Sequence, residues 1–291
     1  MKVILLISIC IVTLNARIYL KRCLESIPDA LSSLRYEVIV IDNGSIDGTS
    51  ELIKKKYPNI NYIKNKKNLG YTIPMNRAIS MAKGEYVLQL NPDIELSKKS
   101  IYLLVNYMNM NKKIGICIPK IIDENGNFEK SSRRGIPTPW ATVTYFSGLS
   151  RMFSDNRKFT QYRLEHLNED AISEVDAVSG SCMLIKSNVI DDIGILDEKF
   201  FAYQEDSDFC FRAKQANWKI VYNPQSTITH FTGRGGSKSY PMKTILEWHR
   251  SYYYYFNKHL SKNYSKLFNF FYIIIMMTKM ASTTFLYFLK K

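Results

Sequence analysis

The first 120 residues alternate between continuous apolar runs and stretches in which apolar residues recur at a helical spacing. Continuous apolar runs of strand length are typical of strands that are buried on both faces of a sheet. The pattern predicts strands at Val3–Val12, Glu37–Ile41, Ile60–Lys64, Glu85–Leu90 and Ile114–Ile118. It predicts helices between them at Ile18–Leu34, Gly48–Tyr57, Ile73–Ala82 and Ser97–Asn111. Such alternation favours an α/β fold with a mainly parallel sheet and helices on both of its faces.

The pattern changes twice further along the chain. Residues 120–173 are less regular, and we expect an insertion or lid there. The strand pattern resumes at Val175–Ile185, which includes the small-residue run Val178–Cys182. A composition shift at Gly233-Arg234-Gly235-Gly236-Ser237 predicts a flexible link. We therefore expect an α/β domain over residues 1–240 and a helical extension over residues 241–291.

Polar residues follow four of the predicted strands at the points where the strands end. The clusters are Thr13 with Asn15, Asp42-Asn43-Gly44-Ser45, Asn68-Leu69-Gly70 and Asn91-Pro92-Asp93. Asn, Asp and Gly also form turns, which would explain each cluster by itself. Ligands of such sheets bind outside the carboxyl ends of the strands. Four polar clusters in succession at those ends therefore predict one shared crevice.

Three carboxylates, Glu205, Asp206 and Asp208, occur among aromatic residues, and a lone His230 follows a β-prone run. Carboxylates in apolar surroundings cost free energy unless something uses or neutralises them. The simpler alternative is an acidic first turn of a helix, which the helix dipole stabilises. With Asp93 at another strand end, we interpret these residues as a metal-bound diphosphate site that faces a catalytic base. This combination of residues predicts that the chain is an enzyme.

The composition is that of a folded protein, with 46% hydrophobic and 23% charged residues in a chain of 291. The net charge is +14, and residues 241–291 carry half of it, with eight Lys or Arg and one acid. That segment is also rich in Tyr, Phe, Ile and Met. Basic and aromatic residues together favour a membrane surface over nucleic acid as the partner. The alternative is a basic helical pair that packs on the rest of the protein.

Two apolar stretches have the composition of membrane segments. The N-terminal run is short for a span and lacks a small-residue cleavage site, so we expect a buried strand. Leu267–Leu289 is long enough to span, but Lys279 lies near its middle, where a charge is costly. We expect an interfacial helix there. The five scattered cysteines, without a CxxC motif, predict reduced thiols and a cytoplasmic protein.

The motifs, taken together and in order, resemble those of family-two GT-A glycosyltransferases, especially bacterial rhamnosyltransferase-like members. The resemblance covers about residues 3–255. Its motifs are Thr13-Leu14-Asn15, Asp42-Asn43-Gly44-Ser45, Asn68-Leu69-Gly70-Tyr71, Asn91-Pro92-Asp93 and Glu205-Asp206-Ser207-Asp208. Walker A, GxGxxG and HExxH motifs are absent from the sequence, which argues against the enzyme classes that use them. The resemblance implies a nucleotide-sugar half at about residues 1–119 and an acceptor half at about 120–240.

The resemblance also implies roles for individual residues at the donor end. The residues implied to contact or frame the nucleotide are Thr13, Asn15, Asp42, Asn68, Gly70, Arg77 and Asn91. For Arg77, an exposed helix charge is an equally weighted alternative. A glycine such as Gly70 allows a backbone to approach a ligand closely.

A divalent cation, Mg²⁺ or Mn²⁺, is the cofactor that the resemblance implies. Asp93 matches the last acid of the family's metal-binding Asp-x-Asp motif, and Asn91 replaces the first. Because Asn91 offers only a neutral carbonyl, we expect weak metal binding without the donor. His230 is the second implied ligand, and imidazole suits Mn²⁺ better than Mg²⁺. The alternative for His230 is a buried histidine with a backbone partner.

By resemblance, Asp206 is the general base that takes a proton from the acceptor hydroxyl, an effect worth roughly 10²–10⁴-fold. Glu205 orients the acceptor or shares charge with Asp206. Asp208 is expected to pair with Arg212 one helical turn later. The implied reaction is inverting transfer of a sugar, from dTDP-rhamnose or a UDP-sugar, to a glycan or lipid-linked acceptor at the cytoplasmic membrane face. A non-catalytic scaffold protein that binds sugar nucleotides is the alternative.

Overall fold

The computed structural model describes residues 6–234 and 241–289, and a mixed β-sheet lies at its centre. The strands are β1 (Leu6–Thr13), β2 (Arg35–Asp42), β3 (Asn61–Lys64), β4 (Tyr86–Leu90), β5 (Ile94–Leu96), β6 (Ile114–Ile122), β7 (Arg133–Arg134), β8 (Ser173–Glu174), β9 (Ala177–Val178), β10 (Cys182–Lys186) and β11 (Lys219–His230). The helices are α1 (Arg17–Leu31), α2 (Thr49–Lys56), α3 (Thr72–Met81), α4 (Ser100–Met110), α5 (Pro139–Phe146), α6 (Leu149–Met152), α7 (Ser187–Ile193), α8 (Glu205–Gln215), α9 (Pro241–Tyr255) and α10 (Lys266–Leu289).

The central sheet has the strand order β3-β2-β1-β4-β10-β6-β11-β5, with β8 beside β11. The strands β3, β2, β1 and β4 are parallel, as are β6 and β11. β10 runs antiparallel between β4 and β6, and β5 runs antiparallel to β11. The predicted mainly parallel sheet in an α/β fold is confirmed. The four polar clusters follow parallel neighbours, so they meet at one edge.

The predicted first strand is β1, which begins at Leu6, since residues 1–5 lie outside the described part. Every residue of β1 after Leu6 is buried, and so is every residue of β4. A strand that is covered on both faces carries a continuous apolar run, which is the pattern the sequence presents. The amphipathic stripe of α1 buries Leu20, Leu24 and Ile27 against this sheet.

A second, two-stranded sheet holds the irregular segment after β6 next to the central sheet. β7 pairs with β9 in antiparallel register, with Arg133 opposite Val178 and Arg134 opposite Ala177. α5 and α6 follow β7. Because β9 leads directly into the run 179–181 and then into β10, this pairing holds the insertion beside the edge where the polar clusters lie.

The C-terminal segment is helical, as predicted, and it packs on the insertion. A π-helical turn at Phe256–Leu260 and a short 3₁₀ turn at Ser261–Asn263 join α9 to α10. The hydroxyls of Tyr272 and Thr142 are 2.9 Å apart, which links α10 to α5. The Lys279 ammonium lies 3.7 Å from the ring centre of Phe146. The Gly235-Gly236-Ser237 part of the predicted flexible link lies outside the described residues.

All five cysteines are free and buried. Burial raises the pKa of the Cys182 thiol to about 12, and burial together with the charge of Glu37 raises that of Cys10 to about 12. Thiols with such a high pKa are poor nucleophiles at neutral pH. The cysteines therefore act as small apolar core residues, which agrees with the predicted reduced thiols.

Candidate active site

The edge at the carboxyl ends of the central strands opens into a cavity of about 470 Å³. The predicted site residues that line it are Thr13, Asn68, Gly70, Asn91, Asp93, Glu205, Asp206 and His230. They follow β1, β3, β4 and β11, or begin α8. Asp93 and Asp206 thus share one cavity, although they are far apart in sequence.

Asp42 and Asn15 lie beside this cavity and fix the loop after β2. Asp42 is fully buried, and its Oδ1 accepts a hydrogen bond from the backbone N–H of Ser45 at 2.7 Å. Its Oδ2 accepts from the Tyr62 hydroxyl at 2.6 Å. Asn15 Oδ1 accepts from the backbone N–H of Ile46 at 2.9 Å. Neither side chain is part of the cavity lining, so a nucleotide contact stays a prediction for both.

Arg77 lies on the exposed side of α3, outside the cavity lining. Its Nη1 donates to Asn65 Oδ1 at 3.3 Å. This position agrees with the alternative of an exposed helix charge, and contact with the donor stays a prediction.

Asn43, which the sequence placed in a motif without a role, joins the loops after β2 and β3. Its Nδ2 donates to Asn68 Oδ1 at 3.1 Å and to the carbonyl oxygen of Gly70 at 2.5 Å. Gly70 has a φ of +87°, and a Cβ there would lie 2.4 Å from the carbonyl oxygen of Phe201. Only glycine therefore permits this close contact between the donor-side loop and the segment before α8.

The pairing of β5 with β11 brings Asp93 and His230 together. Ile94 pairs with His230, and the N–H of Phe231 donates to the Asp93 carbonyl oxygen at 2.9 Å. His230 Nε2 lies 3.3 Å from Asp93 Oδ1, without the alignment of a hydrogen bond, whereas Oδ2 accepts from the N–H of Arg234. Within the described residues, Oδ1 is therefore a buried carboxylate oxygen in ion-pair contact with that imidazole but without a hydrogen bond. A hard cation would satisfy such an oxygen, so these residues fit a divalent metal.

Both imidazole nitrogens of His230 face carboxylates, because Glu129 Oε2 lies 2.7 Å from Nδ1. The alternative from the sequence was a backbone partner for His230, but its ring nitrogens face side-chain carboxylates instead. Burial alone would lower the pKa of His230, but Asp93 and Glu129 raise it to about 9. Within the described residues, no three His, Cys, Asp or Glu side chains are grouped as a metal site. A cation here would have to displace the proton of His230 Nε2, would then have Asp93 and His230 as ligands, and would need substrate phosphates to complete its shell.

α8 begins directly after two non-glycine residues with a left-handed backbone, Tyr203 at φ +70° and Gln204 at φ +62°. Such conformations cost on the order of 1–3 kcal/mol each and are concentrated at functional sites. The turn directs the first residues of α8, Glu205 and Asp206, to the cavity.

Donors from outside α8 fix the Asp206 carboxylate. Oδ2 accepts from Arg134 Nη2 at 2.5 Å and from the N–H of Gly180 at 3.0 Å. Oδ1 accepts from the N–H of Ser207 at 2.7 Å. A Cβ at Gly180 would lie 2.3 Å from Nε2 of the buried Gln89 side chain, which would then have to move. A helix dipole alone does not explain such long-range partners, which favour the catalytic interpretation of the acidic turn.

Arg134 is a site residue to which the sequence gave no role of its own. Its Nη2 also donates to the carbonyl oxygen of Val178 at 3.0 Å, and the pairing of β7 with β9 fixes its backbone. Burial alone would lower the pKa of the guanidinium, but the neighbouring Asp206 raises it above its ordinary value. The only signal in the sequence was an Arg-Arg-Gly run in the predicted lid.

Glu205 lies beside Asp206 in a different electrostatic state. Burial and, second, the charge of Asp206 raise the pKa of Glu205 to about 8. Its Oε2 is buried without a hydrogen-bond partner. Glu205 is therefore neutral near pH 7 and able to donate a hydrogen bond.

α9, beyond the predicted domain boundary, forms one wall of the cavity. Lys243, Glu247 and Trp248 of α9 line it together with Tyr162 and Arg163 of the insertion. The ammonium of Lys243 lies 3.9 Å from the ring centre of Phe201, in the segment before α8.

The sequence model of Glycosyl transferase family 2 matches residues 8–192, which are more than half of the chain. The chain belongs to glycosyltransferase family 2. An N-acetylglucosaminyl-diphospho-decaprenol L-rhamnosyltransferase of Mycobacterium tuberculosis is 30% identical over 254 residues, 83% of this chain and 81% of that protein. The low-salt glycan biosynthesis hexosyltransferase Agl10 of Haloferax volcanii is 32% identical over 189 residues, 63% of this chain and 55% of Agl10. The predicted resemblance to rhamnosyltransferase-like members is confirmed.

Two solved structures show the same fold as this glycosyltransferase. The mannosyltransferase PcManGT from Pyrobaculum calidifontis, in complex with GDP-Man and Mn2+, matches with a TM-score of 0.60 and 14% identity. That match covers 89% of this chain and 65% of PcManGT. S. aureus TarS 1-349, in complex with UDP-GlcNAc, matches with a TM-score of 0.53 and 18% identity, over 84% of this chain and 65% of TarS. The chain therefore spans less than two thirds of both structures, and the likeness shows the GT-A fold alone.

In this glycosyltransferase, Asp208 is buried and connects α8 to the C-terminal segment. Arg212 Nε donates to it at 2.9 Å, which confirms the predicted pair. Lys258 Nζ donates at 2.6 Å and His259 Nε2 lies at 2.7 Å, both from the π-helical turn after α9. Burial alone would raise the pKa of Asp208, but these partners, led by His259 and Lys258, lower it to about 2. Asp208 thus braces α8 against the turn after α9.

Proposed function

We propose that this glycosyltransferase inverts the anomeric carbon of its donor, with Asp206 as general base. Asp206 takes the proton of an acceptor hydroxyl as the oxygen attacks the sugar, and the nucleoside diphosphate leaves with the bonding electrons. The observation that supports this most is that Asp206 and the Asp93–His230 pair line one cavity. Arg134 and Gly180 hold the base in one orientation, which lowers the entropic cost of reaching the transition state.

The proposal includes a divalent cation, Mg²⁺ or Mn²⁺, with Asp93 Oδ1 and His230 Nε2 as its protein ligands. When bound, such a cation neutralises the charge that builds on a leaving diphosphate. The buried Oδ1 without a hydrogen bond supports this assignment. Asn91 lines the cavity next to Asp93 and offers a neutral oxygen, so metal binding would depend on the phosphates of the donor.

The donor in this proposal is a nucleotide sugar, with dTDP-rhamnose as the first candidate and a UDP-sugar as the second. The L-rhamnosyltransferase of Mycobacterium tuberculosis, which is similar over most of the chain, supports rhamnose. Its name also supports a lipid-linked acceptor and a place in cell-surface glycan synthesis. The wall of α9, with Lys243 and Trp248, supplies a cation and an aromatic surface for the acceptor side.

We also propose that the enzyme binds the cytoplasmic membrane surface through α10. By length and composition, α10 is the one helix of the described residues that would suffice to cross a membrane, with a mean hydropathy of 1.4. Tyr272 is buried and the Lys279 ammonium lies over protein rings, whereas Phe271 and Ile275 are 55% and 54% exposed. One face thus packs on the enzyme and the other is free and apolar. This supports a helix in the interface plane rather than a span.

The catalytic proposal is tested with Asp206→Asn and a panel of nucleotide sugars that includes dTDP-rhamnose and UDP-GlcNAc. We expect the parent to release nucleoside diphosphate from one donor and to give a product of inverted configuration by NMR. Asp206→Asn should lower kcat by about 10²–10⁴-fold and leave nucleotide affinity within a few-fold. Asp155→Asn, an exposed charge-matched control, should match the parent. Equal rates in Asp206→Asn and the parent would exclude Asp206 as the base.

Membrane binding is tested by co-sedimentation with vesicles that contain anionic phosphatidylglycerol. Phe271→Ser with Ile275→Ser removes two exposed apolar side chains of α10. Each would contribute about 1.5–3 kcal/mol if fully buried in lipid, so we expect binding to fall by tenfold or more. Met110→Ser, which removes an apolar side chain that is 83% exposed at the end of α4, is the control. Unchanged sedimentation of the α10 double variant contradicts the membrane proposal.

A further inference from the structure

His230 has a second carboxylate partner that none of the family motifs contains. Glu129 Oε2 lies 2.7 Å from His230 Nδ1, on the opposite side of the ring from Asp93. Glu129 belongs to the irregular segment after β6, and it is 101 residues from His230 in sequence. Its side chain is largely buried, and its other oxygen, Oε1, accepts from the Ser131 hydroxyl. Both oxygens of this carboxylate are therefore occupied within the protein.

The local structure gives Glu129 a fixed position. After β6 the chain turns at residues 123–127, and the Asp123 side chain accepts from the backbone N–H of Asn127 at 2.8 Å. An antiparallel bridge of Ile122 with Phe128 closes this turn. The N–H of Glu129 then donates to the carbonyl oxygen of Ile121 at 2.8 Å. The backbone on the approach to Glu129 is therefore held by regular hydrogen bonds.

The sheet brings this turn to the metal end of the cavity. β6 and β11 are parallel neighbours, and Ile122 pairs with Thr229, the residue before His230. β11 also pairs with β5, directly after Asp93. Glu129, which follows the turn after β6, and Asp93, which precedes β5, thus lie on either side of the His230 imidazole at the end of β11.

An imidazole that donates its Nδ1–H to a carboxylate cannot rotate freely, and it presents the Nε2 lone pair to a cation once the Nε2 proton has been displaced. Carboxylate partners of this kind orient metal-binding histidines, and their loss typically weakens metal affinity by about 10–100-fold. We propose that Glu129 is a positioning residue, which directs Nε2 of His230 to the cation shared with Asp93. This inference rests on the proposed metal site and extends it to a residue outside the motifs.

The test measures Mn²⁺ affinity by calorimetry in the presence of saturating dTDP, with UDP as a second probe. Glu129→Ala should weaken Mn²⁺ binding by about 10–100-fold. Glu129→Gln should lie between Glu129→Ala and the parent, because its amide oxygen still accepts from Nδ1–H. Glu124→Gln, an exposed charge-matched change on the same turn, should bind as the parent does. Melting temperatures are compared first, and Glu129→Gln serves alone if Glu129→Ala is unfolded.

A second readout separates positioning from general structure. Nitrogen-15 NMR of histidine, with Mg²⁺ and dTDP, should show His230 protonated at Nδ1 alone in the parent and a tautomer mixture in Glu129→Ala. His230→Ala distinguishes the two levels of the proposal. If His230→Ala weakens Mn²⁺ binding and neither Glu129 variant does, Glu129 has no positioning role. If His230→Ala also leaves binding unchanged, the proposed metal site itself is wrong, and the inference is lost with it.

Discussion

Asp208 is not part of the cavity lining, but it connects α8 to the turn after α9. Asp208→Asn therefore weakens this connection without changing a residue of the cavity. Asp208 is fully buried two residues after Asp206, and Arg212, Lys258 and His259 surround it. The asparagine keeps the size of the side chain but removes the negative charge. Lys258, Arg212 and His259 are then left around a neutral amide.

The pKa of Asp208 gives the size of the expected effect. A pKa lowered from 3.8 to about 2 corresponds to stabilisation of about 2 kcal/mol. Loss of one partner from a buried ion pair costs about 3–5 kcal/mol when the other charge stays buried without compensation. Lys258 keeps Asp197 at 2.7 Å, so part of the charge remains compensated. We therefore expect Asp208→Asn to lower the free energy of unfolding by about 2–3 kcal/mol at pH 7.

The pH dependence has a definite sign. Because the folded-state pKa of Asp208 lies below its ordinary value of 3.8, its contribution is present above pH 4 and is lost as the pH falls through 2. The deficit of Asp208→Asn should therefore be constant between pH 7 and pH 5 and should shrink below pH 4.

Urea unfolding, followed by tryptophan fluorescence at pH 7, 5 and 3, measures this deficit. Asp155→Asn, which removes an exposed carboxylate, is the control and should change the free energy of unfolding by less than about 0.5 kcal/mol. A deficit below 1 kcal/mol at pH 7 would show that Arg212, Lys258 and His259 do not depend on the charge of Asp208. A deficit that persists undiminished at pH 3 would show that its origin is not the carboxylate charge.

Substitutions at two further positions test the chemistry at the start of α8. Arg134→Ala removes a charge-assisted hydrogen bond to Asp206, worth about 1.5–3 kcal/mol, so kcat should fall by roughly 10–100-fold. Arg134→Lys should recover part of the lost kcat. If kcat of Arg134→Ala stays within twofold of the parent, Arg134 does not position Asp206 as the proposed base. Because the pKa of Glu205 is about 8, activity should fall as the pH rises above 8 and its proton is lost. Glu205→Gln stays neutral and should lack this alkaline decline in the pH–rate profile, so an unchanged decline would assign it to another group.

The elements were predictable where burial imposes a pattern on the sequence. β1 and β4 are covered on both faces, so their apolar runs are continuous and unambiguous. β5, with three residues, is too short to show a period and was missed. The predicted run Val175–Ile185 is two strands in the structure, because residues 179–181 leave the sheet and Gly180 turns its N–H to Asp206. Asp206 lies on α8, 26 residues further along the chain, so a local sequence pattern does not reveal this contact.

The site was predictable to the same extent and for the same reason. Asp93, His230 and Asp206 lie at strand ends or at a helix start, where topology brings residues together regardless of what surrounds them. Arg134 and Glu129 reach the site from an irregular insertion, across 72 and 101 residues of sequence. No periodicity marks a loop residue for a partner so far away. Their places beside the candidate site follow only from the pairing of β7 with β9 and of Ile122 with Phe128.

The change of composition near residue 240 separates segments that the fold joins. Trp248 of α9 lines the cavity, and the Lys279 ammonium of α10 lies 4.2 Å from the centre of its ring. One aromatic side chain therefore separates the cavity from the helix whose outer face is apolar. Under the proposed function, a lipid-linked acceptor places its sugar against α9 while its tail follows α10 to the membrane. The basic, aromatic composition of the C-terminal segment then belongs to two surfaces at once, which is why its charge alone did not reveal that α9 lines the cavity.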